Sequence, residues 1–181
     1  MLSTIKLSLT LFSLLFTHAL LAQDKTDNYS FMKLYVVNES DEVLLVKWEG
    51  EWELAGSRYN DPLSVTAFLD RMAADMGVTI QNHKLCGVYT QRWQGAPYLT
   101  LMQYYQATYA GGELKVPDDC TDIRWFSYEK ALEVIPYENM KRMMREIREH
   151  PGRIIGAAFE RYQDENNQTQ YVTLEDWYLL N

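Results

Sequence analysis

Arg71 and Asp75 stand four residues apart in a stretch whose apolar residues recur at helical spacing, with Asp70 beside them and Arg58 in the segment before. On a helix that spacing sets guanidinium and carboxylate on one face, where an exposed pair contributes about 0.2–0.5 kcal/mol. The alternative is ligand contact: guanidinium forks match phosphate and carboxylate geometry, which makes Arg58 and Arg71 candidate contacts for an anionic ligand. Asp75 also offers a carboxylate on this turn. Hard divalent cations take oxygens from several carboxylates at once, however, and residue 74 is an alanine. A neighbouring guanidinium also repels a metal ion, by about 4 kcal/mol for unit charges 4 Å apart at an effective dielectric of 20. His83 and His150 have no nucleophile or carboxylate at informative spacing, and there is no Ser-His-Asp constellation, Gly-rich phosphate loop or GxSxG elbow. No residue is therefore assigned a catalytic role.

The elements that must position these residues can be read from pattern and punctuation. Residues 31–37 and 43–48 are β-branched and aromatic runs flanking the polar segment 38–42, which predicts a hairpin. Asp61-Pro62 predicts a helix start, with Asp as N-cap and Pro at the first helical position. The helix should run from about Pro62 to Met76 and stop at Gly77, its core stripe formed by Val65, Phe68, Leu69, Met72 and Met76. Strands follow over 85–90, 98–109 and 123–127, with Gly111-Gly112 as a turn. A second helix is expected from about Tyr137 to Glu149 on the stripe Met140, Met143, Met144 and Ile147, ended by His150-Pro151-Gly152. Runs 157–162 and 171–174 around the polar segment 164–168 predict a terminal hairpin, so the class is α/β.

At the N-terminus, Lys6 precedes an apolar run from Leu7 to Leu21 that is dotted with Ser and Thr, and then Ala22-Gln23. This pattern predicts a signal peptide over residues 1–22 and an exported chain, periplasmic or extracellular, with no membrane segment after cleavage; a retained anchor is the alternative. Cleavage would leave one domain of 159 residues and move the formal charge from −8 to −9. So acidic a surface, without a basic run, argues against nucleic-acid binding. Cys86 and Cys120 are the only cysteines. In an oxidising compartment they can pair, or stay as two buried thiols; separation along the chain does not decide between these.

Trp52-Glu53-Leu54-Ala55-Gly56-Ser57 resembles the W-E-L-P-G-G segment of Nudix hydrolases, with Ala55 for Pro and Ser57 for the second Gly. A helix closing on Gly77-Val78, then Gly87-Val88-Tyr89, then Ile123–Ser127 followed by Glu129-Lys130-Ala131-Leu132, are similar to later segments of that family in the same order. The resemblance spans residues 31–150. It implies a Nudix-type α/β/α sandwich with a mixed, mostly antiparallel sheet, in a domain of residues 31–181 whose segment 151–181 is a C-terminal hairpin extension. Laid from Gly56, the family's box G-x5-E-x7-R-E-U-x-E-E-x-G-U keeps Gly56, Met72, Gly77 and Val78. Its chemistry positions are replaced: Pro62 stands for the first Glu, Asp70-Arg71 for Arg-Glu, and Ala74-Asp75 for Glu-Glu. Only Asp75 keeps a carboxylate at a family metal-ligand position, and by the resemblance it is the candidate metal ligand of this turn.

The resemblance thus implies the family frame without its metal cage, and no cofactor is expected. Mg²⁺ or Mn²⁺ enters only if the chain is an active hydrolase of a nucleoside diphosphate derivative with rebuilt ligands. One such rebuilt site would gather Asp70, Asp75, Asp118, Asp119 and Asp122 if the 117–122 loop folds over the helix; the alternative is a solvated turn at Asp118-Asp119. Trp93, Tyr98, Tyr104 and Tyr105 lie in or near strands that border the family's substrate cleft, where rings can stack on a base or sugar or simply pack the sheet. The expected function is binding of a small anionic ligand or a protein partner, with Arg58, Arg71, Trp93 and Tyr98 as contacts. A purely structural protein with a closed cleft is the third alternative.

Overall fold

In the computed structural model residues 28–181 are described, so the leader expected over residues 1–22 lies outside the described residues. Nine strands form one sheet: β1 (Tyr29–Val37), β2 (Glu42–Trp48), β3 (Glu51–Glu53), β4 (Ala55–Tyr59), β5 (Val78–Trp93), β6 (Thr100–Gly112), β7 (Asp122–Ser127), β8 (Ile155–Gln163) and β9 (Thr169–Leu179). The described helices are α1 (Val65–Asp75), α2 (Tyr128–Val134) and α3 (Glu138–Glu149). None of the described helices is long and apolar enough to cross a membrane. The spatial strand order is β3-β2-β1-β6-β5-β8-β9, with β4 also paired to β1 and β7 to β2. Only β1–β6 and β5–β8 are parallel; the other pairings are antiparallel.

Side chains alternate across a strand, and here both faces of the central strands are covered. From β1, Met32, Leu34 and Val36 enter a core with Phe68, Leu69, Met72, Ala73 and Met76 of α1. Tyr35 enters a second core on the opposite face, where Tyr128 and Ala131 of α2 meet Met140, Met143, Met144 and Ile147 of α3. The same split divides β2, with Leu44 and Val46 in the first core and Val43 and Leu45 in the second. The result is an α/β/α sandwich over a mixed sheet, and it explains why these strands read as continuous apolar runs rather than as alternating ones.

Three local expectations are corrected. The first helix begins at Val65 rather than Pro62, because Ser64 is the N-cap: its hydroxyl accepts from the Ala67 N–H at 3.3 Å. Asp61 is held elsewhere, by the Arg71 guanidinium. Gly111-Gly112 is not a turn but the end of β6, paired with Thr79 and Val78. Only a hydrogen fits there, since a Cβ on Gly112 would lie 2.3 Å from the Gly77 carbonyl oxygen. Finally, β5 starts at Val78 and runs through the polar segment Gln81–Lys84 by shifting register, with Asn82 at φ 57°. A bulge takes up the extra residues, so a segment that looks like a break is not one.

The strip between β1 and β4 sets up the site. β1 meets β2 at Val37↔Val43 and then gives the same edge to β4, where Lys33 faces Gly56. A Cβ on Gly56 would sit 2.6 Å from the Lys33 stem and 2.6 Å from the Phe31 ring. The glycine is therefore what lets a long cationic side chain lie across the strand.

Candidate functional site

Two adjoining cavities of about 340 and 290 Å³ share the walls Phe31, Trp48 and Glu53. Lys33 lines the second beside the shared wall Glu53 and is 5% exposed. Its ammonium donates to the Leu54 carbonyl at 3.0 Å and pairs with Glu53 Oε1 at 3.0 Å. Burial pushes the Lys33 pKa down, and the Glu53 carboxylate opposes that shift. Charges this buried persist only when paired, so Glu53 is committed to Lys33.

The first cavity is bounded by β4, by the last turn of α1 and by the 117–120 turn. Asp75 and Asp119 line it, with Arg58 and Cys120. Arg58 lies over the Tyr29 ring, 4.2 Å from its centroid. Arg71 lines neither cavity and pairs with neither Asp75 nor Asp70. Its guanidinium instead binds Asp61 and covers the Phe68 ring at 4.6 Å. The five-aspartate cage is not assembled: Asp70 lies 2.9 Å from His83 Nε2, Asp122 binds Arg124 at 2.5 Å, and Asp118 is outside the lining. Among the described residues, three ligating groups with donors within 4.8 Å of one another occur only at Glu146, Glu149 and His150, which border neither cavity. The residues at the loop–helix turn thus do not fit a Mg²⁺ or Mn²⁺ cage, which needs several converging carboxylate oxygens without a lysine among them.

The two cysteines are free and stand in different cores. Cys86 donates to the Tyr104 carbonyl at 3.2 Å, and burial pushes its thiol up to about 12. Cys120 lies beside Asp119, and burial together with that carboxylate pushes its thiol up to about 11. With the sheet between their cores, the disulfide left open by the sequence does not form.

The second cavity is walled by Tyr29, Tyr89, Tyr104, Tyr137 and Tyr171, with Lys33, Asn139 and Arg161 among them. The Tyr89 and Tyr104 hydroxyls lie 3.5 Å apart, and Asn139 Nδ2 donates to Tyr89 at 3.2 Å. Burial raises the pKa of both phenols and pushes Tyr137 up to about 12, so all three are protonated donors at neutral pH. Arg161, from β8, lies 4.2 Å from the Trp93 ring centroid and 5.6 Å from that of Tyr171. Its Nε is shielded from solvent and has no hydrogen-bond partner. Trp93 itself is outside the lining and backs Arg161; Tyr98 is also outside and packs on Tyr29 with centroids 6.3 Å apart. Tyr105 packs against the other core.

Sequence reasoning missed Lys33, Glu53, Tyr89, Tyr137, Asn139, Arg161 and Tyr171. One signal was there: a lysine inside Phe31-Met-Lys-Leu-Tyr-Val-Val37 must be buried with the strand, and a buried cation implies a partner.

No protein-family model matches the sequence, and no curated protein matches it. Solved structures do match in fold. A mutator MutT protein from Bacillus halodurans superposes with a TM-score of 0.66 at 19% identity, covering 81% of this chain and 97% of that one. A NUDIX hydrolase from Nitrosomonas europaea gives 0.59 at 14% identity over 75% and 80% of the two chains. The NUDIX domain of Shewanella oneidensis NrtR, solved with ADP ribose, gives 0.58 at 16% identity over 74% and 96%. The chain has the Nudix-hydrolase fold.

Proposed function

We propose that on this Nudix fold the chain is an exported binding domain, which holds a small anionic ligand in the paired cavities and does not cleave diphosphates with a metal. One observation carries the reading: around the loop–helix turn, Asp61, Asp70, Asp122 and Glu53 each face a basic side chain, leaving Asp75 and Asp119 to face the first cavity. Metal-assisted hydrolysis needs cations that neutralise the phosphates and activate water. Here Lys33 is spent on Glu53 and Arg58 shares the first cavity with Asp75 and Asp119, so the positive charge left over is Arg161 in the second, which attracts an anion but generates no hydroxide. The leader pattern of residues 1–22 supports export.

Calorimetric titration of the mature chain with Mn²⁺ should give no micromolar isotherm, and incubation with nucleoside diphosphate derivatives should yield no nucleoside monophosphate. A thermal-shift panel of small anions should raise the melting point, since a ligand at 100 times its Kd adds about 2.7 kcal/mol. A rival reading has its own observation: Glu53, Asp75 and Asp119 line the same cavity. Micromolar Mn²⁺ binding and turnover, both lost in Asp75→Asn, would make the chain a hydrolase with rebuilt ligands.

A further inference from the structure

The ionisable side chains that line the second cavity, tyrosines apart, are Lys33, Glu53 and Arg161. Lys33 and Glu53 neutralise each other at 3.0 Å. The neighbouring Glu160 is taken by Arg92 at 2.7 Å, and among the described residues Arg161 pairs with no carboxylate. The cavity therefore carries one positive charge that the chain leaves uncompensated.

The geometry of that charge is specific. The rings of Trp93 and Tyr171 lie against the Arg161 guanidinium, which leaves its in-plane N–H edge as the donor surface. A planar fork held this way matches the two oxygens of a carboxylate or phosphate group. The Arg161 Nε is likewise without a hydrogen-bond partner among the described residues. Around the fork stand tyrosine rings, Phe31, Met102 and Met140, which favour a flat apolar body, and Asn139, Gln91 and Thr100, which can bond a hydroxyl or amide on it. About 290 Å³ lies just below the roughly 300–1,000 Å³ range of ligand pockets, which suits a small ligand.

We infer that the second cavity binds a small flat-ring molecule carrying a single oxyanion charge, with Arg161 as its anion contact and the tyrosine walls around its ring. This rests on the reading that the cavities bind rather than cleave, and it names the ligand class. A diphosphate brings at least two charges into a chamber that balances one. The shared chemistry, a ring plus one oxyanion, can come from an aromatic carboxylate or from a cyclic phosphodiester.

The test uses the mature chain and three probes in calorimetry: 4-hydroxybenzoate, 3′,5′-cyclic AMP and ADP. At least one of the two monoanions should bind more tightly than ADP, and which one binds identifies the source. Arg161→Gln should weaken that binding at least tenfold. Arg161→Lys, which keeps the charge and loses the fork, should weaken it less, and Arg153→Gln, an equal change in net charge outside both cavities, should leave it unchanged. Melting curves without ligand show whether each variant is folded, and Arg161→Lys stands in if Arg161→Gln is not. Tighter binding of ADP, binding of none of the probes, or unaltered affinity in the Arg161 variants would overturn the inference and leave non-hydrolytic binding standing. Mn²⁺-dependent breakdown of ADP would overturn that underlying reading instead.

Discussion

Lys33 holds the junction of the cavities through three groups: the Glu53 carboxylate, the Leu54 carbonyl and the Phe31 ring, which its ammonium approaches to 5.4 Å. Removing the ammonium strands a carboxylate whose side chain is only 14% exposed. Lys33→Met should therefore destabilise the chain by about 3 kcal/mol, read from urea midpoints. The double change Lys33→Met with Glu53→Gln should cost less than the single one, because no charge is then left alone. Alkaline stability tests a second residue. The Cys86 thiol has an ordinary value of 9.0 and is pushed up to about 12 by burial. Raised above its unfolded value, it contributes stability that is complete below pH 9 and is lost as pH climbs toward 12. Lys33, shifted down, works in the opposite sense between its folded value and 10.5. The urea midpoint of the wild-type chain should thus fall more steeply between pH 9 and 11 than that of Cys86→Ala. Residues like these are only partly legible in a sequence. The lysine in an apolar run announces a buried charge, but nothing near it names Glu53. Arg161 and Tyr171 look like any residues of a surface hairpin until β8 is laid beside β5.

The start of α1 shows how two sound local signals can compete. Asp61-Pro62 and Ser64 both carry N-cap chemistry, and the Ser64 hydroxyl takes the role while the Asp61 carboxylate goes to Arg71. Ser64→Ala should lower stability by about 1 kcal/mol in thermal melts. Asp61→Ala should cost less, because it removes a half-exposed ion pair of the kind that contributes about 0–1 kcal/mol. The β1–β2 hairpin and α3 were legible because their signals are unopposed. Asn38 Oδ1 accepts from the N–H groups of Ser40 and Glu42, both at 2.9 Å, closing the turn, and the methionine stripe of α3 meets the core as its spacing implies. β3 and β4 were not legible, being short and defined by the edges they pair with rather than by any run of their own.

At the scale of the molecule, the α/β class followed from the order of helices and strands and the sandwich from the family resemblance, while the cavities followed from neither. Trp93 faces Arg161 in the β5–β8 ladder across 68 positions of sequence, a proximity that no periodicity encodes. The exit of α1 is fastened in the same nonlocal way: the Met76 carbonyl accepts from the Lys115 N–H at 2.9 Å, and Gly77 and Gly112 meet too closely for any side chain. That clasp fixes the last turn of α1, on whose exposed side lie Arg71, Ala74 and Asp75. The double change Arg71→Glu with Ala74→Glu should place three carboxylates on a turn that is already held, and calorimetry should then detect a Mn²⁺ isotherm tighter than any given by the unaltered chain. Because those three positions are exposed, they can change charge without disturbing an interior contact, so the proposed reading lets metal binding vary while the clasp keeps the fold.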